Sequence, residues 1–476
     1  MNTDEPWPDS DAAWWRVLKI QTKLHQWATD DPNRRFDDLY NLVTDPSFLV
    51  VAWERVRGNR GARTAGVDGV KPSSIIFGAE TLLCGLRAEL KDRTFRPMPV
   101  RERTIPKANG KLRRLGIATA RDRVVQASLK LVLEPIFEAD FQPCSYGFRP
   151  KRRAYDAIAE IHHFTSRSYE WILEGDITAC FDEISHVGLM DRVRARIGDK
   201  RVLDLVKAFL KAGILYEDGI ERDTLTGCPQ GGILSPLLSN IALSVLDEHF
   251  AAAWRAMGTG SQRQQRRRKG LATYRLVRYA DDFVVLVAGS RDDVEGLRDE
   301  VARVLAPMGL RLSEEKTKIV HIDEGFDFLG FRIRRDTRRG STKRFVYTYP
   351  SKKALASIKA KVRAVTKQNT NQPLSKILGQ LNAILRGWTN YHKHGAASAT
   401  FSYLRHFSMW RVVRWLRRRH PRANWKQLRR RYLEPEWWPK EGEVMLFDPS
   451  TVAITRYRYR AANIPTPWST ETTGAA

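Results

Sequence analysis

The stretch that most restricts how this chain can fold is Tyr279-Ala280-Asp281-Asp282, with residues 273–278 before it and 283–287 after it. Tyr, Val, Leu and Phe dominate both flanks, so each reads as a strand and the two together as a hairpin. The tip lacks the Asn-Gly or Asp-Gly that makes an easy two-residue turn. Adjacent carboxylates at a tight turn between buried strands repel one another. A divalent cation is the natural neutralising partner, and a solvated hairpin tip is the plain alternative.

A third acid removes the ambiguity. Trp171-Ile172-Leu173-Glu174-Gly175-Asp176-Ile177 reads as a second strand ending in a carboxylate, 105 residues before Asp281. That is enough chain to bring the two strands side by side. One acid plus two, on neighbouring strand ends, suits a pair of Mg2+ ions holding a nucleoside triphosphate. Upstream, residues 103–115 read as strand, turn and strand around Asn109-Gly110. Lys107 and Arg113 flank that turn, close enough to grip a triphosphate. A hydrolytic nuclease has no need of such a pair, so it weighs towards polymerisation. Between the acids, Gly227-Cys228-Pro229-Gln230-Gly231-Gly232-Ile233-Leu234-Ser235-Pro236 is a Gly/Pro-rich loop opening a helix over 237–250. Backbone amides there suit anions or close backbone approach.

Charge points the same way. The 476 residues carry 81 Lys+Arg against 54 Asp+Glu, a net +27, which calls for a polyanionic partner such as nucleic acid. Arg57, Arg60 and Arg63 sit in a Gly-rich loop suited to phosphate, with a flexible surface loop as the equal alternative. Residues 405–431 hold eleven Lys/Arg and no acid, with Trp410, Trp415 and Trp425 interleaved. That mixture suits backbone neutralisation plus base stacking, with core tryptophans beside a solvated face as the alternative. The basic cluster at 263–269 is expected to be disordered unless it touches RNA. Four scattered cysteines without a C-x-x-C pair exclude a zinc finger and point to a reducing compartment. No apolar run is long enough to span a membrane, and no signal peptide is apparent, so the expectation is a cytoplasmic protein with access to the nucleoid.

Helices are expected over 11–28, 36–43 (ending before Pro46), 120–138, 154–164 and 291–306. Residues 312–319 and 326–331 look like further strands of the hairpin's sheet. A boundary falls at 342–351, and beyond it three amphipathic stripes predict a small bundle.

The ordered set of blocks resembles bacterial group II intron-encoded proteins, reverse transcriptases that are also splicing maturases. Tyr279-Ala280-Asp281-Asp282 is similar to that family's YADD box, 176–182 to its first catalytic block, and 229–236 to its PQG block. Segments 312–319 and 328–331 resemble the last palm blocks, and Gly387-Trp388-Thr389-Asn390-Tyr391-His392 resembles the best-marked segment of domain X. The resemblance implies an α+β right-hand polymerase, fingers and palm around an antiparallel sheet, followed by a helical thumb/maturase bundle. It divides the chain into N-terminal helices and basic loop (1–70), fingers and palm (71–345), thumb or domain X (346–435) and a short DNA-binding-type tail (436–476). No cysteine follows Cys228, so the likeness is to members without the endonuclease.

By that resemblance Asp176, Ile177, Asp281 and Asp282 would bind two Mg2+ ions. Phe181, which alone reads as a core aromatic, would be the gate against a ribose 2′-hydroxyl. Gln230 would line the nucleotide pocket, Lys107 and Arg113 would hold the triphosphate, and Lys316 would lie near the leaving pyrophosphate. Arg57, Arg60, Arg63, Arg405, Arg411, Arg414, Trp388 and Tyr391 would contact nucleic acid. The implied partners are group II intron RNA, a DNA target or primer, and dNTPs, with no membrane and an open oligomeric state. A domesticated reverse transcriptase in repair or defence, and a splicing-only RNA-binding protein, remain alternatives.

Overall fold

The computed structural model describes residues 7–75, 78–106, 110, 112–217, 219–338, 340–433 and 437–469. Its strands include β1 (Val100–Pro106), β2 (Leu112–Ile117), β3 (Trp171–Gly175), β4 (Ile214–Leu215), β5 (Glu221–Arg222) and β6 (Thr273–Tyr279). They continue with β7 (Asp282–Ala288), β8 (Lys318–His321), β9 (Phe326–Phe328), β10 (Phe331–Thr337) and β11 (Arg344–Pro350). Two compact units form: one from 1–153, 173–318 and 461–476, the other from 154–172 and 319–460.

In the first unit the helix Ser10–Asp30, capped by Asp9 on the Ala12 N–H, packs with helices Pro46–Gly58 and Ala120–Asp140. Helix Ala120–Asp140 is buried on most sides: its Val124, Leu129 and Leu133 lie in the interior, and its polar Asp122, Gln126 and Glu138 are buried too. One sheet has the order β2-β1-β4-β5, with β1 and β2 antiparallel and Arg101 opposite Ile117. The second has the order β6-β7-β3-β8, and β8 leads the chain into the second unit. Its β6–β7 hairpin is in register from Thr273↔Ala288 to Tyr279↔Asp282. Residues Phe283 to Ala288 of β7 are all buried, as their unbroken apolar run demands.

The second unit holds a separate antiparallel sheet, order β11-β10-β9, and the helices Lys352–Lys367, Leu374–His392, Ser398–Arg419 and Trp425–Tyr432. Their stripes meet in one core containing Val362, Leu378, Leu381, Leu385 and Trp415. Trp415 is thus a core residue. Trp410 is 48% exposed and stacks on Trp425 with ring centroids 6.4 Å apart.

Four sequence expectations are corrected. Residues 326–331 do not join the hairpin's sheet: Leu329 and Gly330 take positive φ and fold β9 back on β10, so the two pair with one another. In 312–319 the strand begins only at Lys318, because Lys316 and Thr317 N–H groups turn back on the Ser313 carbonyl. The helix expected over 36–43 spans only Tyr40–Val43, because the Phe36 backbone pairs with Arg196 and Gly198 instead; it ends before Pro46 as expected, and Pro46, capped by Asp45, opens a further helix Pro46–Gly58. The basic cluster is helical over Gly260–Arg268, because Thr259 and Gln262 form a capping box and Arg263 lies 3.9 Å over the Trp254 ring. Among the described residues no helix is long and apolar enough to cross a membrane, and the cysteines form no disulfide.

Candidate active site

The hairpin's tight turn forces Ala280 to φ +59°, a conformation that costs a residue with a Cβ roughly 1 kcal/mol. Something must hold it, and Arg278 does. This fully buried guanidinium donates to Asp247 Oδ1 at 2.8 Å, Asp247 Oδ2 at 2.5 Å, Asn240 Oδ1 at 3.0 Å, Ser145 Oγ at 2.7 Å and the Ala280 carbonyl at 2.8 Å. Every donor of the fork is used. Burial opposes its charge, but the Asp247 carboxylate outweighs that and keeps the Arg278 pKa above its ordinary value. Behind the turn, a Cβ on Gly147 would stand 2.2 Å from the Ala280 nitrogen, so only glycine lets the 145–147 segment back it. Asn240 donates its Nδ2 to the Gly147 carbonyl at 2.9 Å, closing the brace.

Asp176 follows β3, the strand beside β7. A Cβ on Gly175 would meet the Phe283 ring at 2.1 Å, so the residue before Asp176 packs closely on the residue after Asp282. Lys316 ties the two acids electrically. Its Nζ is 2.9 Å from Asp176 Oδ2, and that bond, then the charges of Asp176, Glu315 and Asp282 in turn, raise its pKa against its partial burial. Asp281 is near enough to Cys180 to add to the burial that pushes this thiol up to about 12, so Cys180 stays protonated. Ile177 bridges Leu312 through the Thr178 N–H to Arg311 and the Ser313 N–H to Asp176, neither of which uses the Ile177 carbonyl.

The donors here are hard carboxylate oxygens. Among the described residues no closed cluster of three metal-binding side chains forms. An open carboxylate edge still fits magnesium, which is commonly held by one or two carboxylates, waters and substrate phosphates rather than by an all-protein cage.

The 226–232 loop is laced to the segment after Asp176. Cys228 N–H donates to the Phe181 carbonyl at 2.6 Å, Gly227 N–H to Ile184 at 2.8 Å and Thr226 Oγ1 to Asp182 at 3.0 Å. Phe181 is 9% exposed on the short helix Cys180–Glu183. On the loop's other side Arg113 Nε donates to Gln230 Oε1 at 3.1 Å, and Gly116 N–H to the Gln230 carbonyl at 2.7 Å. The structure therefore brings Arg113 to Gln230, and the loop bearing Gln230 to Phe181. Lys107 lies outside the described residues.

The other sequence-selected residues are elsewhere. Arg57 pairs with Glu54, while Arg60 and Arg63 are exposed on a 3-10 turn whose carbonyls at Gly61 and Thr64 accept from Arg123. Arg405 is bound to Asp448 at 2.8 Å and Arg411 to Thr366 at 3.0 Å, whereas Arg414 is exposed. Tyr391 donates to the Leu329 carbonyl at 2.8 Å, and Trp388 packs on His392 and Phe401. Arg278, Asn240 and Asp247 received no role from the sequence. The available signal was an arginine inside an apolar strand, which burial makes costly without a carboxylate partner.

Residues 105–333 match the family described as Reverse transcriptase (RNA-dependent DNA polymerase), and residues 355–433 match the Group II intron, maturase-specific domain. The chain is 39% identical over 360 residues to Protein YkfC of Escherichia coli, covering 71% of this chain and 93% of that protein. It is 32% identical over 372 residues to Group II intron-encoded protein LtrA of Lactococcus lactis subsp. cremoris, covering 68% of this chain but only 61% of LtrA. Nuclear intron maturase 1, mitochondrial, of Arabidopsis thaliana is 25% identical over 286 residues, 44% of this chain and 39% of that protein. With the acid-tipped hairpin, the neighbouring Asp176 and both domain matches in chain order, this chain belongs to the group II intron-encoded reverse transcriptase/maturase family.

Proposed function

We propose that the protein copies RNA into DNA from a DNA primer with dNTPs, and that it binds its intron RNA to assist splicing. The observation that carries the first part is the meeting of Asp176 with the Asp281-Asp282 turn, beside a loop that presents Gln230 to Arg113. In this reading Asp176, Asp281 and Asp282, with the Ile177 carbonyl, hold two Mg2+ ions. When bound, such ions lower the pKa of a primer 3′-hydroxyl and neutralise the triphosphate. The chain's own residues position the reactants. Arg113 and Lys107 hold the triphosphate, Gln230 orients the base and sugar, and Phe181 occupies the space a 2′-hydroxyl needs. Lys316, now on Asp176, is placed to exchange that carboxylate for pyrophosphate oxygens. Catalysis then rests on positioning and charge complementarity.

Intron RNA and target DNA are assigned to the basic surfaces: Arg57, Arg60 and Arg63 on the fingers extension, Arg405, Arg411 and Arg414 on the thumb, with Trp388 and Tyr391 supporting that helix. The division 1–70, 71–345, 346–435 and 436–476 is the functional counterpart of this assignment. Primer extension on an RNA template with Mg2+ tests the reading. Asp281→Ala should lower dNTP incorporation by at least roughly 10²–10³-fold, with splicing of the native intron largely retained. Full polymerase activity in that variant would refute the catalytic assignment. Splicing assistance without any dNTP incorporation by the unaltered chain would favour the splicing-only reading.

A further inference from the structure

The second unit contains a cavity of about 1180 Å³ that none of the catalytic residues touches. Its walls are the helix Ala154–Thr165, strands β10 and β11, and the strap at 456–459. The strap's sequence, Arg456-Tyr457-Arg458-Tyr459-Arg460, alternates, and its burial alternates with it: Tyr457 and Tyr459 are partly buried, Arg456 and Arg458 exposed.

Both ends of the strap are fixed. Thr455 N–H donates to the Lys393 carbonyl at 3.0 Å. At the other end Arg460 donates to both oxygens of buried Asp156 at 2.9 Å, and Tyr457 Oη donates to the same carboxylate at 3.0 Å. The tyrosine rings pack inward, Tyr457 on Tyr155 at 5.4 Å and Tyr459 on His163 at 4.3 Å. A strap so held keeps its two outward arginines on a rigid frame, where less side-chain and backbone freedom is lost on binding.

The charge balance of the cavity is one-sided. Glu170 is engaged by Arg335, and Asp323 by Arg335 and Arg344. No carboxylate pairs with Arg167, Arg456 or Arg458 among the described residues; Arg167 instead donates to His163. Burial first, and then the Arg456 and Arg167 charges, lower the His162 pKa, so the imidazole is neutral at pH 7 and offers stacking and hydrogen bonding rather than charge. Phe345, 44% exposed, adds an open aromatic face at the rim.

We propose that this cavity binds an unpaired polynucleotide strand, with Arg167, Arg456 and Arg458 on its phosphates and Phe345 against a base. Unpaired guanidiniums next to aromatic faces are the elements of single-strand recognition. The volume lies above the roughly 300–1,000 Å³ typical of small-ligand pockets, which suits a chain segment better than a free nucleotide. The choice of ligand rests on the polynucleotide-handling function proposed above, whose carboxylates are not among the residues lining the cavity.

The test is equilibrium binding of labelled, unstructured 12-nucleotide RNA and DNA strands to the full chain, with Arg456→Gln/Arg458→Gln and Phe345→Ala as variants. Both changes are at exposed positions and leave Asp156, Tyr457 and Arg460 in place. The double arginine variant should bind about tenfold more weakly, and its slope of log K against log salt should shrink by roughly 1.4, two single-strand phosphate contacts. Phe345→Ala should weaken binding about fivefold or more through lost stacking. Extension of a pre-annealed primer–template should be unchanged in both. A loss confined to RNA would show that the sugar is also read, and an equal loss for DNA that the backbone and bases suffice; either supports the site. Unaltered affinity and salt slope for both strands in both variants would overturn it. An unaltered chain that binds strands through this cavity but extends no primer would instead sink the polymerase reading and leave the cavity standing.

Discussion

Arg278 does at residue scale what no carboxylate could do for itself: it fixes where the Asp281-Asp282 turn points. Arg278→Met would strand Asp247, buried with no other cation bonded to it among the described residues, and should cost about 3–5 kcal/mol in urea unfolding. Primer extension should fall further than stability accounts for, because the Ala280 carbonyl loses its donor. Replacing both partners with apolar residues should recover most of the stability and little of the activity. The sequence announced an arginine among Leu276, Val277 and Tyr279, but its partners lie 31 and 133 residues earlier, a pairing that only tertiary structure reveals. Asp122 makes a second residue-scale prediction. Burial, partly offset by the Thr119 hydroxyl, pushes it up to about 6 from an ordinary 3.8. Folding therefore takes up a proton between those values. The resulting stability is fully present below about pH 4 and is lost as pH rises through 6. Asp122→Asn should flatten that limb: between pH 4.5 and 6.5 the unfolding midpoint should fall less in the variant than in the unaltered chain.

At the scale of elements, the hairpin was legible because two runs rich in Tyr, Val, Leu and Phe around a charged tip are local signals, and so were the helices whose caps and stripes are local. What escaped was partnership. Residues 326–331 read as a strand of the hairpin's sheet yet turn back at Leu329-Gly330 and pair in a sheet of their own, since nothing in a strand's sequence names its neighbour. The basic helix Gly260–Arg268 escaped because charge density masked its capping box. Thr259→Ala should release that helix first, at a cost of about 1 kcal/mol, seen as faster amide exchange confined to 260–268. Behind the hairpin, Gly147→Ala places a methyl 2.2 Å from the Ala280 nitrogen. An overpacking cost of about 1–3 kcal/mol is expected, with a fall in primer extension that Gly147→Ser reproduces. If Gly147→Ala left turnover intact, the brace would have no part in positioning the acids.

For the whole molecule, a net +27 predicts binding governed by counterion release. If six or more phosphates are engaged, RNA affinity should drop about 10³-fold or more between 50 and 200 mM salt, measured at fixed Mg2+. That breadth of charge was plain from composition; its division into pairs was not, since Arg405, Arg335 and Arg460 spend theirs on Asp448, Asp323 and Asp156. One further property of the chain concerns time. Trp468, 5% exposed, donates its indole N–H to Gln21 at 3.3 Å and packs by His25, so the first unit is completed by a segment from the other end of the chain. A ribosome adding about 5–20 residues per second needs some tens of seconds to travel from one to the other. Through that interval the helix Ser10–Asp30 stands with its closing tryptophan still unmade, so the nascent chain must wait on translation itself before its polymerase half is sealed.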